Sequence, residues 1–168
     1  GQINQYALAA GLGTDVSIGS GGTYPTLTGP GGLFEALNNG GLTANINARI
    51  ISTPITEPGT AALNAISYPC AAGPFSLTIK PDAGVAAVLN GNNSGGAIIK
   101  LNGADQITID GVNSGGSSLS INNTSESLTS AVIWIASAAA GNGATNNTIK
   151  NCSISGATNS STLAGIVA

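Results

Sequence analysis

From Asn45 onward the chain alternates apolar and polar residues over short stretches, the period of a half-buried β-strand. In Ile46-Asn47-Ala48-Arg49-Ile50 the alternation puts Ile46, Ala48 and Ile50 on one side and Arg49 on the other. Phe75–Lys80 alternates in the same way, and Val85–Leu89 forms a further short strand. Later come Ile99 and Leu101 around Lys100, then Ile107 and Ile109, then Leu119 and Ile121. The next circuit repeats the order, with Ile133 and Ile135 around Trp134, then Ile149, Cys152 and Ile154, and a third circuit opens at Leu163–Ala168.

These strands recur in register. The stretch Leu101-Asn102-Gly103-Ala104-Asp105-Gln106-Ile107-Thr108-Ile109-Asp110-Gly111-Val112 has its counterpart forty residues on, in Asn142-Gly143-Ala144 through Cys152. The column Lys100, Trp134, Val167 recurs at 34 and 33 residues, so Ala136–Gly141 reads as a loop inserted before the second Asn-Gly-Ala turn. A fixed period in this range is the mark of a stacked repeat. Three strands per circuit predict an all-β fold, a parallel β-helix in which each coil buries its inward residues only by stacking on its neighbours. A β-sandwich is the rival, because it too has strands at short spacing.

Residues 1–44 read as an N-terminal capping segment and 45–168 as the β-helix, expected to continue past Ala168. Ile3–Leu8 suggests an edge strand. Leu33-Phe34-Glu35-Ala36-Leu37 is the one good helix candidate, with Asn39-Gly40-Gly41 as its stop. A short apolar-faced helix suits a lid over the first coil. Residues 53–74 carry Pro54, Pro58, Pro69 and Pro74 and read as a long excursion, with a short helix at Ala61–Ala65.

Composition narrows the partners. Charged residues are 7% of the 168, yet 42% are hydrophobic, which is too apolar for a disordered chain. A net charge of −3 with four Lys+Arg disfavours nucleic acid and a polybasic membrane patch. No apolar run approaches the roughly 20 residues that span a bilayer, so no membrane insertion is expected. Gly1–Gln5 lacks the basic start and apolar run of a signal peptide, which is compatible with an already processed, exported chain. Cys70 and Cys152 allow one disulfide or two small buried thiols, and without His a zinc site is not expected. No cofactor is expected.

Several motifs together resemble a known group: Gly22–Leu27, Gly31–Asn38, Leu77–Pro81 and Leu101–Gly111. They are similar to the N-terminal β-helix region of large secreted surface proteins of Bacteroidota-type bacteria. Asn147-Thr148-Ile149-Lys150-Asn151-Cys152 is also similar to the β-helix repeat of pectate-lyase-like proteins. The resemblance covers most of the chain from Gly22 and implies a right-handed helix and export, commonly by a type IX secretion route.

Catalysis finds little support. Of the acids Asp15, Glu35, Glu57, Asp82, Asp105, Asp110 and Glu126, only Asp105 and Asp110 lie near each other in the coils. Five residues apart along a strand, they point in opposite directions. The second circuit has Thr145 and Lys150 in their places. No phosphate loop or calcium-binding nonapeptide occurs. The six Asn-x-Ser/Thr triplets, at Asn92, Asn122, Asn123, Asn146, Asn151 and Asn159, are what so Asn- and Ser-rich a chain produces by chance.

Trp134 and Lys100 are the candidate ligand-binding residues. If Ile133 and Ile135 face the core, the only Trp faces out on the column of Lys100, where it can stack on a sugar or anchor a protein contact. A one-residue slip, or a covering loop, would bury it instead. The expectation is a non-catalytic extracellular β-helix module with a structural, adhesive or filament-forming role, its partners copies of itself, further coils, or a glycan. The alternative is the glycan-binding part of a polysaccharide lyase or hydrolase whose catalytic residues lie elsewhere.

Overall fold

The computed structural model describes residues 14–69, 73–112, 119–157 and 164–168. Its strands fall into four coils of three. The first coil is β2 (Ile46–Ile50), β3 (Ile55–Thr56) and β4 (Leu63–Asn64). The second is β5 (Leu77–Pro81), β6 (Val88–Gly91) and β7 (Ala97–Asn102). The third is β8 (Ile107–Asp110), β9 (Leu119–Asn123) and β10 (Ala131–Ala136), and the fourth β11 (Thr148–Lys150), β12 (Cys152–Ser155) and β13 (Ala164–Val167). Before them come β1 (Asp15–Ile18) and α1 (Leu33–Gly40), the single α-helix among the described residues.

Each coil gives one strand to each of three sheets, ordered β1-β2-β5-β8-β11, β3-β6-β9-β12 and β4-β7-β10-β13. We call them sheets A, B and C. Every strand pairing is parallel. The chain is therefore an all-β parallel solenoid, and the sandwich, which needs antiparallel neighbours, is excluded. The forty-residue offset is physical: Thr108 lies beside Thr148 and Ile109 beside Ile149.

The core is a set of stacked inward rows. Ile46, Leu77 and Ile107 lie one above another, as do Ala48, Ile79 and Ile109, and all are buried. Each buried Ile or Leu contributes about 1.5–3 kcal/mol. Strict alternation fails at one corner. Ala97, Ile98 and Ile99 are buried in succession, as are Ala131, Val132 and Ile133, where the chain turns from sheet B into sheet C. Gly91 makes room there, since a Cβ on it would collide with Ile98 and with the Glu57 carbonyl.

The helix forms where its residues suggest, and stacking starts earlier than the period implied. β1 lies within residues 1–44 yet pairs with β2 in sheet A. Helix α1 buries Leu33, Phe34 and Leu37 and packs on β4, the first strand of sheet C. Its Asn38 carboxamide donates to the Ala62 carbonyl and accepts from the Asn64 N–H. Those are the two bonds that a parallel neighbour strand would make, so one side chain closes the open edge of β4. The helix stops at Gly41, whose φ of 71° suits glycine.

Two expectations are corrected. Residues 53–74 are not an excursion but contain β3 and β4, and Ala61–Ala65 is not a helix. Pairing decides it: Leu63 is buried in register with Leu101, and a five-residue helix has too little propensity to compete. Ile3–Leu8 and Cys70 lie outside the described residues, so the edge-strand and disulfide readings fall there too. Cys152 is half-buried in β12, and burial lifts its thiol above the usual range.

Candidate functional site: the outer face of sheet C

Outward side chains repeat from coil to coil as the inward ones do. On sheet C, Lys100 lies in register with Trp134, and Trp134 with Val167. Both Lys100 and Trp134 are partly exposed, while Ile99, Leu101 and Ile133 are buried. The outward register of the two candidates is thus as expected. The inserted loop leaves Trp134 partly exposed. It closes on itself as a tight turn, Ala138 N–H to Asn142 O and Asn142 N–H to Ala139 O, with Ser137 to Asn142 exposed.

Lys100 Nζ sits 4.5 Å from the centre of the Trp134 ring. Such a cation–π contact is worth about 0.5–1 kcal/mol at an exposed site. It also occupies one face of the indole, the face toward the preceding coil. A partner therefore meets a composite surface of ammonium and indole rather than a bare ring. Beside this column Asn102 Nδ2 donates to Asn64 Oδ1, giving a short amide ladder on the same face.

The other faces are also laddered. On sheet B, Asn122 donates to Asn90 and Ser155 donates to Asn122. On sheet A, Asn47, Thr78, Thr108 and Thr148 form one outward column. Arg49 joins Asp82 at 2.9 Å and Asp15 at 3.8 Å, and Lys150 lies 3.2 Å from Asp110. These pairs lie at the surface, where solvent screens them and their contribution to stability is small.

Six of the seven acids are engaged individually, Asp15 and Asp82 by Arg49. Asp105 accepts from the Thr145 N–H and hydroxyl. Glu35 accepts from the Gly31 N–H at the start of α1, where a negative charge is favoured. Partial burial works to raise Asp110, but hydrogen bonds from Asn151, the Val112 N–H and Lys150 prevail and hold its carboxyl below the usual range. Asp82 is held low by its bond to Arg49. Asp105 and Asp110 thus bond to turns and to the neighbouring coil.

Glu57 is the acid whose role the sequence does not reveal. It is fully buried, and it accepts from the N–H groups of Leu27 (2.7 Å) and Thr28 (2.8 Å) and from the Thr28 hydroxyl (2.7 Å). Burial lifts its carboxyl above the ordinary range, and the three donors offset this only in part. Two residues after the inward Ile55 it is in phase with burial, but "Thr-Glu-Pro-Gly" does not name the donors it meets.

A cleft of about 250 Å³ lies between α1 and the turn before β4, lined by Gly29, Pro30, Glu35, Asn38, Thr60 and Ala61. Its polar side chains are occupied with Gly31, with β4 and with the Thr28 carbonyl. Among the described residues no three of His, Cys, Asp or Glu come together to hold a metal, and no helix is long and apolar enough to cross a membrane. In comparison with protein-family models, curated proteins and solved structures, nothing matches this chain.

Proposed function

We propose that this chain is a non-catalytic segment of an extracellular β-solenoid protein, with a structural or adhesive role at the cell surface. One observation carries the reading. Outward polar side chains on all three sheets include pairs bonded to a counterpart one coil away, Asn64 with Asn102, Asn90 with Asn122, Asn122 with Ser155 and Asp110 with Asn151 and Lys150, so the outer faces are repeated ladders. Carboxylates and hydroxyls tied to neighbours in this way hold coils together and are not poised for proton transfer. On this reading the partners are further coils or a second copy meeting the edge strands β11, β12 and β13, and surface or environmental glycan. Export, by the type IX route that the resemblance implies, belongs to the same proposal. Electron microscopy of the secreted protein tests it: end-to-end or lateral association supports it, and a monomer that cleaves polysaccharide overturns it.

A second reading, glycan binding, is favoured by the exposed Lys100–Trp134 pair with Asn102 and Asn64 beside it. Such a surface offers a stacking edge, a cation and amide groups to an extended sugar chain. Trp134→Ala is expected to lower retention on a glycan array at least about fivefold, the effect of roughly 1 kcal/mol. Lys100→Ala should lower it mainly for acidic glycans. Both variants should change unfolding stability by under about 1 kcal/mol. Unchanged retention in Trp134→Ala removes the pair as a glycan site.

A further inference from the structure

The chain contains four Asn-Gly pairs: Asn39-Gly40, Asn90-Gly91, Asn102-Gly103 and Asn142-Gly143. An Asn side chain followed by glycine can react with its own backbone, because no Cβ shields the next amide nitrogen. The reaction needs a free carboxamide and a following N–H that is not held by an acceptor. The fold treats the four pairs differently.

Three are protected. Gly40 lies in the last turn of α1, whose hydrogen-bond ladder continues to the Gly41 N–H on Leu37 O. Asn90 is in β6, where its carboxamide oxygen accepts from Asn122 and Gly91 is buried. Asn102 donates its amide to Asn64, and the Gly103 N–H is held by the Ala136 carbonyl at 2.7 Å. Asn142-Gly143 is the outlier. Asn142 is exposed, its backbone is fixed by Ala138 and Ala139, and neither its carboxamide nor the Gly143 N–H is bonded to a described residue.

We propose that Asn142 is a site of spontaneous, fold-selected deamidation. The Gly143 amide nitrogen attacks Asn142 Cγ, and the Cγ–Nδ2 bond breaks, releasing ammonia. The resulting five-membered succinimide is opened by water at either carbonyl. Aspartate forms from one opening and isoaspartate, with the backbone rerouted through the β-carboxyl, from the other. Water is the only co-reactant, and no oxidant or reductant takes part. Each event adds a negative charge, and the isoaspartate form also adds a backbone atom, in the turn that packs Ala138 against Gly103 and directly follows β10, the strand that carries Trp134. The inference does not depend on the proposed function.

Peptide mapping by mass spectrometry tests it, after ageing the folded chain in mildly alkaline heavy-oxygen water. Label incorporation at Asn142 should exceed that at Asn39, Asn90 and Asn102 at least about tenfold, because reaction there first requires local opening of hydrogen-bonded structure. In urea, where the protection is gone, the four rates should converge. Gly143→Ala should slow the folded chain's reaction at Asn142. Equal rates in the folded protein, no reaction at Asn142, or a preference that survives in urea would each overturn the proposal.

Discussion

Glu57→Ala is expected to destabilise the protein by about 3 kcal/mol or more, the largest loss available from a single acid in the chain. The Leu27 and Thr28 N–H groups it receives belong to fully buried residues, so truncation takes the acceptor away from two interior donors. Glu57→Gln should recover only part of this. An amide keeps one oxygen, and its NH₂ then faces an N–H that needs an acceptor. A protonated carboxyl differs, because its hydroxyl oxygen still accepts. Linkage gives the sign of the pH effect. The folded-state pKa lies above the ordinary 4.5, so the folded chain binds the proton more tightly than the unfolded one. The resulting stabilisation is complete below 4.5 and is lost as pH rises through the raised folded value. Asp82 and Asp110, held low, act oppositely and elsewhere: their contribution is present above 3.8 and is lost as pH falls through their lowered values. Urea unfolding across mildly acidic pH should therefore show a decline with rising pH that Glu57→Gln lacks. Parallel curves for the two proteins would contradict the assignment.

Asn123→Asp is expected to cost as much, about 3–5 kcal/mol, though it changes one atom group. Asn123 is fully buried at the end of β9, in the same row as Gly91. Its oxygen accepts from the Asn93 and Ser125 N–H groups, and its nitrogen donates to the Asn93 and Ala131 carbonyls. All four hydrogen-bonding sites of the carboxamide are used, and they bind one coil to the next and β9 to β10. A carboxylate there would aim a buried negative oxygen at two carbonyl oxygens. Asn123→Ala leaves the same backbone groups unpaired and should cost a similar amount. Glu57 and Asn123 thus make opposite demands: one site takes only an acceptor, the other needs donor and acceptor together. Chemical denaturation of both swaps reads this directly, and a loss below about 1 kcal/mol in Asn123→Asp would refute the four-bond description.

Such polar interior positions mark where sequence reading stops. Alternation located the rows of Ile and Leu because every coil repeats them and a parallel ladder keeps them in register. It placed Lys100, Trp134 and Val167 in one outward column for the same reason. Alternation puts Glu57 in phase with Ile55, and Asn123 in phase with Leu119 and Ile121, on the inward side, but a period says nothing of why a polar group is needed there. Their roles depend on which backbone groups the turns leave unpaired, a three-dimensional property. β3 and β4 were hidden for a related reason: two residues each, set among prolines, they carry no alternation and are strands only because Leu89 and Leu101 pair with them. Asn38 shows the same limit, since a carboxamide that imitates a strand edge looks in sequence like any helix-terminal Asn.

The stacking of coils is tested most directly by cross-linking side chains that only a parallel solenoid brings together. Thr78 and Thr108 are in-register neighbours on the outer face of sheet A, thirty residues apart in sequence. Neighbouring strands place such Cα atoms about 4.8 Å apart, within the reach of a disulfide. With Cys70 and Cys152 replaced by serine, Thr78→Cys with Thr108→Cys should oxidise to an intramolecular disulfide. Thr78→Cys with Asp110→Cys, displaced by two residues to more than about 7 Å, should not. Bonding in the displaced pair and none in the registered pair would contradict the stacked-coil fold.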